Sequence, residues 1–148
     1  MTLIEVIHLI ERAASSQPSV NMIVRNDIFR LNALPDARYG VFGWVQGQHS
    51  TIIDSSFINY SFAFYYVDRL TEDLSNQVEI QSVGVQTLDN IIRSLDDLGI
   101  YAEQTVTFQP FNQRFMDECA GVFCNVILSV PIDTTCPEDF TDRNVIVY

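Results

Sequence analysis

The stretch INYSFAFYYVDRLTEDLSN, residues Ile58–Asn76, decides how the rest of the chain is read. Its first half alternates with a period of two. Ile58, Tyr60, Phe62, Phe64 and Tyr66 point to one face, and Asn59, Ser61 and Ala63 to the other. That is the pattern of a strand with one buried side. Its second half, RLTEDLSN, is a charged turn that breaks the strand and leads into a long helix. Asn76 stands at the helix start with Glu79 three residues on, and Gly99 stands at its end as a C-terminal cap. Between them Ile80, Val83, Leu88, Ile91, Ile92, Leu95 and Leu98 trace an apolar stripe. A helix of this length spans about 30–35 Å, so the ring-bearing strand face is read as the floor on which it lies.

The flanking segments extend this frame. Thr2 and Glu5 form a capping box ahead of Leu3, Val6, Ile7 and Ile10, which predicts a helix over about residues 2–15, ended by Pro18. VNMIV suits a short strand, and Asn26 or Asp27 suits the cap of one helical turn before Pro35. ARYGVFGWVQGQHS reads as a strand with Gly40, Gly43 and Gly47 at close contacts or bulges, joined through STIID to the aromatic strand as an antiparallel hairpin. YAEQTVTFQP, with Val106 and Phe108 inward, and VFCNVILSV, with Val122, Cys124, Val126, Leu128 and Val130 inward, read as two more strands. The expected fold is α+β: an antiparallel sheet of about four main strands packed against one long helix and an N-terminal helix, in the order α-β-β-α-β-β. Residues 1–131 form a single domain and 132–148 a C-terminal extension.

The 148-residue length suits one domain, and the 47% hydrophobic content is that of a globular chain. No apolar run reaches the roughly 20 residues that span a bilayer, so no membrane association is expected. Glu5, His8, Glu11 and Arg12 interrupt any signal-peptide core, which places synthesis and folding in a cytoplasm. The net charge of −11 argues against a non-specific grip on nucleic acid. All eight basic residues are Arg, a composition that favours protein interfaces over Lys-rich solvated surface.

Reactive constellations are scarce. Cys119, Cys124 and Cys136 read as reduced thiols, and the C-x4-C spacing of the first two lacks the further ligands of a zinc site. His49 lies close in sequence to Ser50, Asp54 and Ser55, but triads assemble in space from distant segments, and His49 at a hairpin turn reads as solvated. The acidic pairs Glu72–Asp73, Asp96–Asp97, Asp117–Glu118 and Glu138–Asp139 sit in turns or at helix ends, where they read as surface. No P-loop, G-x-S-x-G or G-x-G-x-x-G occurs. The expectation is a non-enzyme without cofactor or metal.

Asp68 and Arg69 at the end of the aromatic strand read either as a local ion pair or as an inter-subunit contact. The linker FNQRFMDECAG is too apolar for a solvated loop, with Phe111, Arg114, Phe115 and Met116. The tail PIDTTCPEDFTDRNVIVY ends in a β-prone run that needs a sheet edge, its own or a neighbour's. Asp68, Arg69, Phe111, Arg114, Phe115, Phe140, Val145 and Val147 are therefore the candidate subunit-interface residues.

SFAFYYVDRLTEDLSNQVEIQSVGVQTLDNIIRSL and FNQRFMDECAGVFCNVILSVP resemble segments of small structural proteins of tailed bacteriophages, the head–tail connector and tail-terminator-like ring proteins, closest to neck and tail ring proteins of crAss-like phages. The resemblance covers about residues 21–140. It implies a virion protein of the neck or tail, made in the host cytoplasm, that closes with itself into a sixfold or twelvefold ring. It further implies neighbouring portal and tail ring proteins as partners, and DNA that passes through the lumen without specific binding. It carries no catalytic residues. The alternative function is a small monomeric ligand- or protein-binding regulatory domain that uses its aromatic strand.

Overall fold

The computed structural model describes residues 1–27, 38–53, 56–103, 105–112 and 119–132, the side chains of residues 48 and 49 excepted. Helix α1 covers Leu3–Ser15, strands β1 Met22–Arg25, β2 Val41–Ile53 and β3 Phe57–Arg69, helix α2 Gln77–Asp97, and strands β4 Tyr101–Ala102, β5 Phe108–Asn112 and β6 Cys119–Pro131. The sheet runs β1-β2-β3-β6-β4, with β5 also on β6. β3 is its centre, paired antiparallel over its whole length with β6 from Phe57↔Pro131 to Arg69↔Cys119.

This architecture corrects the expected one in three ways. The described residues form six strands rather than about four, the sheet is mixed rather than antiparallel, and the order is α-β-β-β-α-β-β-β. The parallel element is β1, whose Met22 to Arg25 lie against Val41 to Trp44 of β2. A four-residue strand carries too little pattern to reveal its partner, and only the long connection between the two allows a parallel pairing. The segment YAEQTVTFQP is also not one strand. β4 and β5 share one edge of β6, but their registers differ by two residues, so the connection between them is two residues longer than the stretch of β6 that it spans.

Both helices lie on one face of the sheet. Trp44, Tyr60, Phe62, Phe64, Tyr66, Val122, Cys124, Val126, Leu128 and Val130 point toward them and are buried. The ring alternation read in the sequence is thus the core. Four of the five rings and chains expected inward on β3 are buried, and Phe42–Phe64 and Trp44–Phe62 meet edge-on at 5.4 and 6.1 Å. On α2 the buried stripe is Ile80, Gly84, Thr87, Leu88, Ile91 and Leu95. Val83 and Ile92 fall about 90° to either side of its centre at 100° per residue, so they flank the stripe and do not fill it. Leu98 stands beyond the last turn and is exposed. Gly84 was not expected in the stripe. A β-carbon there would stand 3.0 Å from Tyr66 Cδ1 and 3.1 Å from Val122 Cγ2, so its absence lets the helix sit directly on the two central strands.

The helix ends follow two different rules. Gly99, at φ +83°, closes α2 as expected: the N–H of Ile100 donates to Leu95 O and that of Gly99 to Asp96 O, the two bonds of a Schellman motif. Asn76 does not cap the helix with its side chain. It staples the preceding turn instead, accepting from Thr71 N at 2.8 Å and donating to Arg69 O at 3.1 Å. The Thr2–Glu5 capping box of α1 is present as read.

A polar latch fixes α1 to the sheet. Arg25 donates to Glu11 from both Nε and Nη2, at 2.6 and 2.8 Å, and Trp44 Nε1 donates to the same carboxylate at 3.1 Å. Partial burial pushes the Glu11 carboxyl up, but the hydrogen bonds from Arg25 and Trp44, with the charges of Arg25 and His8, outweigh it and hold the carboxyl below its ordinary value of 4.5. A depressed carboxylate adds stability above its unfolded value and loses it as pH falls through the folded one. Glu11→Gln should therefore cost about 1 kcal/mol at neutral pH, discounted for the exposed Arg25. The gap between the two proteins should close below pH 4.5. Urea titrations across that range measure both.

Candidate interaction surface

The two faces of the sheet differ in what covers them. The helices fill one. On the other, here the open face, Val24, Val41, Val67, Phe111 and Cys119 form a second buried cluster at one end, with Tyr65 stacked on Phe123 at 5.5 Å. Toward the opposite end the face opens into a hollow of about 420 Å³. Its walls and floor include Val45, Gly47, Ser61, Ala63, Asn125 and Ile127.

The hollow has a local cause. In β2 the register with β3 shifts between Gln46 and Ser50, so three residues of β2 stand opposite Ser61. At the other side of the hollow the register on β6 shifts by two residues between β4 and β5, opposite residues 125–127, with the Glu103 N–H donating to Ile127 O at 3.3 Å. The hollow lies between these two irregularities, over the small residues Gly47, Ser61 and Ala63. Gly47 is required there, because a β-carbon would stand 2.6 Å from Ser61 Cβ. The sequence reading of Gly47 as a bulge or close contact holds; the register shift on β6 has no comparable signal.

The candidate residues separate onto the two faces. Asp68 lies on the helix side and accepts a hydrogen bond from the Arg69 N–H at 2.7 Å. Burial, then the charge of Asp68 and a hydrogen bond to it, push the Tyr66 hydroxyl up to about 12. Arg69 projects to the open face, 5.9 Å from the Tyr39 ring centre. These two side chains form no ion pair with one another, whereas Arg25 pairs with Glu11 and Arg93 with Asp89. Phe111 belongs to the buried cluster of the open face. Arg114, Phe115, Phe140, Val145 and Val147 lie outside the described residues, as do the expected helical turn before Pro35, Asp54, Ser55 and Cys136.

Charge divides the same way. Along the strand rows of the open face there is no carboxylate among the described residues, and Arg69 is the charged side chain; Glu103 stands at the rim of the hollow. The helices carry Glu5, Glu11, Glu79, Asp89, Asp96 and Asp97 against Arg12 and Arg93. Exposed apolar side chains occur on both layers. Val78 of α2 is 74% exposed and Ile127 of the open face 36%. At the hairpin end Ile52 is 65% exposed, beside Ile53 and Phe57. Val78 and Val85 of α2 carry no signal of the apolar stripe in the sequence, although their spacing of seven sets them on one outward line.

Among the described residues, reactive groups are not gathered on this surface. Cys119 and Cys124 fall on opposite faces of β6, as an offset of five residues in a strand dictates, and both are buried. Among the described residues no group of His, Cys, Asp and Glu side chains could hold a metal ion. His8 is exposed on α1, and the His49 side chain lies outside the described set. No described helix is long and apolar enough to cross a membrane.

Comparison with known proteins found no family model that matches the chain and no curated protein similar to it.

Burial pushes the Cys124 thiol up to about 12 against a weaker opposing hydrogen bond from the Phe64 backbone. A buried, protonated thiol is a poor nucleophile. Maleimide labelling at pH 7 followed by peptide mass spectrometry should leave Cys119 and Cys124 unmodified in the native protein and modify both in guanidinium. Native labelling of Cys124 at the unfolded rate would contradict the packing described.

Proposed function

We propose that this chain is a structural virion protein of a tailed bacteriophage, a subunit of a closed ring at the portal–tail junction through which DNA passes. The observation that carries the reading is the pair of unlike apolar surfaces on one small domain: the open sheet face around Ile127, and the outward side of α2 at Val78 and Val85. A ring closes through heterologous contacts, in which one surface of each subunit meets a different surface of the next. A domain with two such surfaces is equipped for that contact. The sequence resemblance to neck and tail ring proteins supplies the biological setting, with portal and tail ring proteins as neighbours.

The acidic balance suits the same role. A net charge of −11 repels phosphate and keeps DNA from adhering as it moves through a channel. A ligand-binding use of the aromatic strand finds less support, because α2 packs on its ring-bearing side and the rings are core.

Native mass spectrometry of the purified chain tests the reading. The expected result is a single closed species of six or twelve copies of the 16.9 kDa subunit. A monomer that persists at high concentration and in the presence of portal and tail ring proteins would count against it.

A further inference from the structure

We infer that the hollow of the open sheet face receives the outward side of α2 from a second copy of this chain. The inference rests on the ring reading and specifies its contact. Shape comes first. The hollow is concave and floored by Gly47, Ser61 and Ala63, whereas α2 is convex and presents Val78 and Val85 on one line. Two open faces set against each other would leave their hollows unfilled, and unfilled apolar space forfeits dispersion contacts. A helix in the hollow fills it.

Charge selects the same pairing. Helix layer against helix layer would bring carboxylates together, while helix layer against open face brings them to strand rows with Arg69 and no carboxylate among the described residues, with Glu103 at the rim of the hollow. Asp96 lies on the outward line of α2 that starts at Val78 and Val85. From Val78 to Asp96 the helix rises about 27 Å. From Ser61 in the hollow to Arg69 the strand rises about 26 Å. A copy of α2 laid along β3 with its valines in the hollow thus brings Asp96 to Arg69.

The sheet edges offer a poorer contact. β1 has four residues, and β5 has five with Pro110 among them, which removes a backbone donor and disfavours strand addition. Face-to-helix contact is heterologous, so repeated with a rotation that closes it forms a ring.

Two substitutions at exposed positions test the contact by sedimentation velocity, with circular dichroism confirming the fold. Val78→Glu removes the apolar anchor from the helix, and Ile127→Glu places a carboxylate in the hollow. Each variant alone should remain monomeric. Their equimolar mixture should form dimers that grow no further, because each dimer holds one intact junction and two spoiled surfaces. A charge swap gives a second arm: Arg69→Glu alone weakens assembly about tenfold, and the double variant Arg69→Glu, Asp96→Arg recovers it. Assembly of both single variants like the parent, a mixture that stays monomeric, or a swapped chain that fails to recover would overturn the contact. If the parent forms rings indifferent to every substitution, the contact is wrong and the ring reading stands. A parent chain that never assembles removes both.

Discussion

The full-length pairing of β3 with β6 is the constraint from which the remaining structure follows. Thirteen consecutive partners, from Phe57↔Pro131 to Arg69↔Cys119, place Tyr60, Phe62, Phe64 and Tyr66 in one row-set with Val122, Cys124, Val126, Leu128 and Val130. A shift of one residue would turn every ring to the other face. The pairing therefore determines which side α2 covers and which side stays open. The tightest point lies where Gly121 meets the β3 backbone: a β-carbon there would stand 1.9 Å from Tyr66 O. Directly above, Gly84 of α2 rests between Tyr66 and Val122. Two glycines thus bring strand, strand and helix to backbone range, and the large rings fill the space around them.

The open face acquires its character from the same pairing. Alternation sends Asn59, Ser61, Ala63, Asn125 and Ile127 away from the helices, and these are small or neutral where their opposite row is aromatic. One half of that face is sealed by the cluster around Val67 and Cys119; the other half is the hollow. Carboxylates concentrate on the helices and turns. A molecule with a net charge of −11 repels its copies at long range, so association favours the surfaces on which that charge is absent. Salt of about 0.1 M limits the repulsion to roughly 10 Å, leaving close contact to shape and apolar cover.

Much of this frame was legible in residue order. The alternation of Ile58 to Tyr66, the Thr2–Glu5 box, Gly99 and the hairpin are local patterns, and local physics determines them. The elements that escaped depend on pairing between distant segments. β1 is four residues long and joins β2 in parallel, a choice no residue of MIVR announces. The two-residue offset between β4 and β5 arises from how β6 is shared, so YAEQTVTFQP carries the look of one strand. Asn76 had the right type and spacing for a cap, but its amide found better geometry in the Arg69–Thr71 turn. Of the candidate interface, Asp68 and Arg69 are neighbours in sequence, yet a period of two parts them and assigns Arg69 alone to the open face. The hollow is not legible in residue order, because it exists only where the β2 register shift and the β4–β5 offset border the same row.

The proposed ring requires that another copy of the chain cover the open sheet face. Electron cryomicroscopy of the assembled protein at side-chain resolution tests that claim most directly. The expected map shows a closed ring in which each hollow, at Gly47, Ser61 and Ile127, is occupied by α2 of the adjacent subunit. A map in which the hollows face solvent, or in which the protein is found as separate subunits, would contradict it.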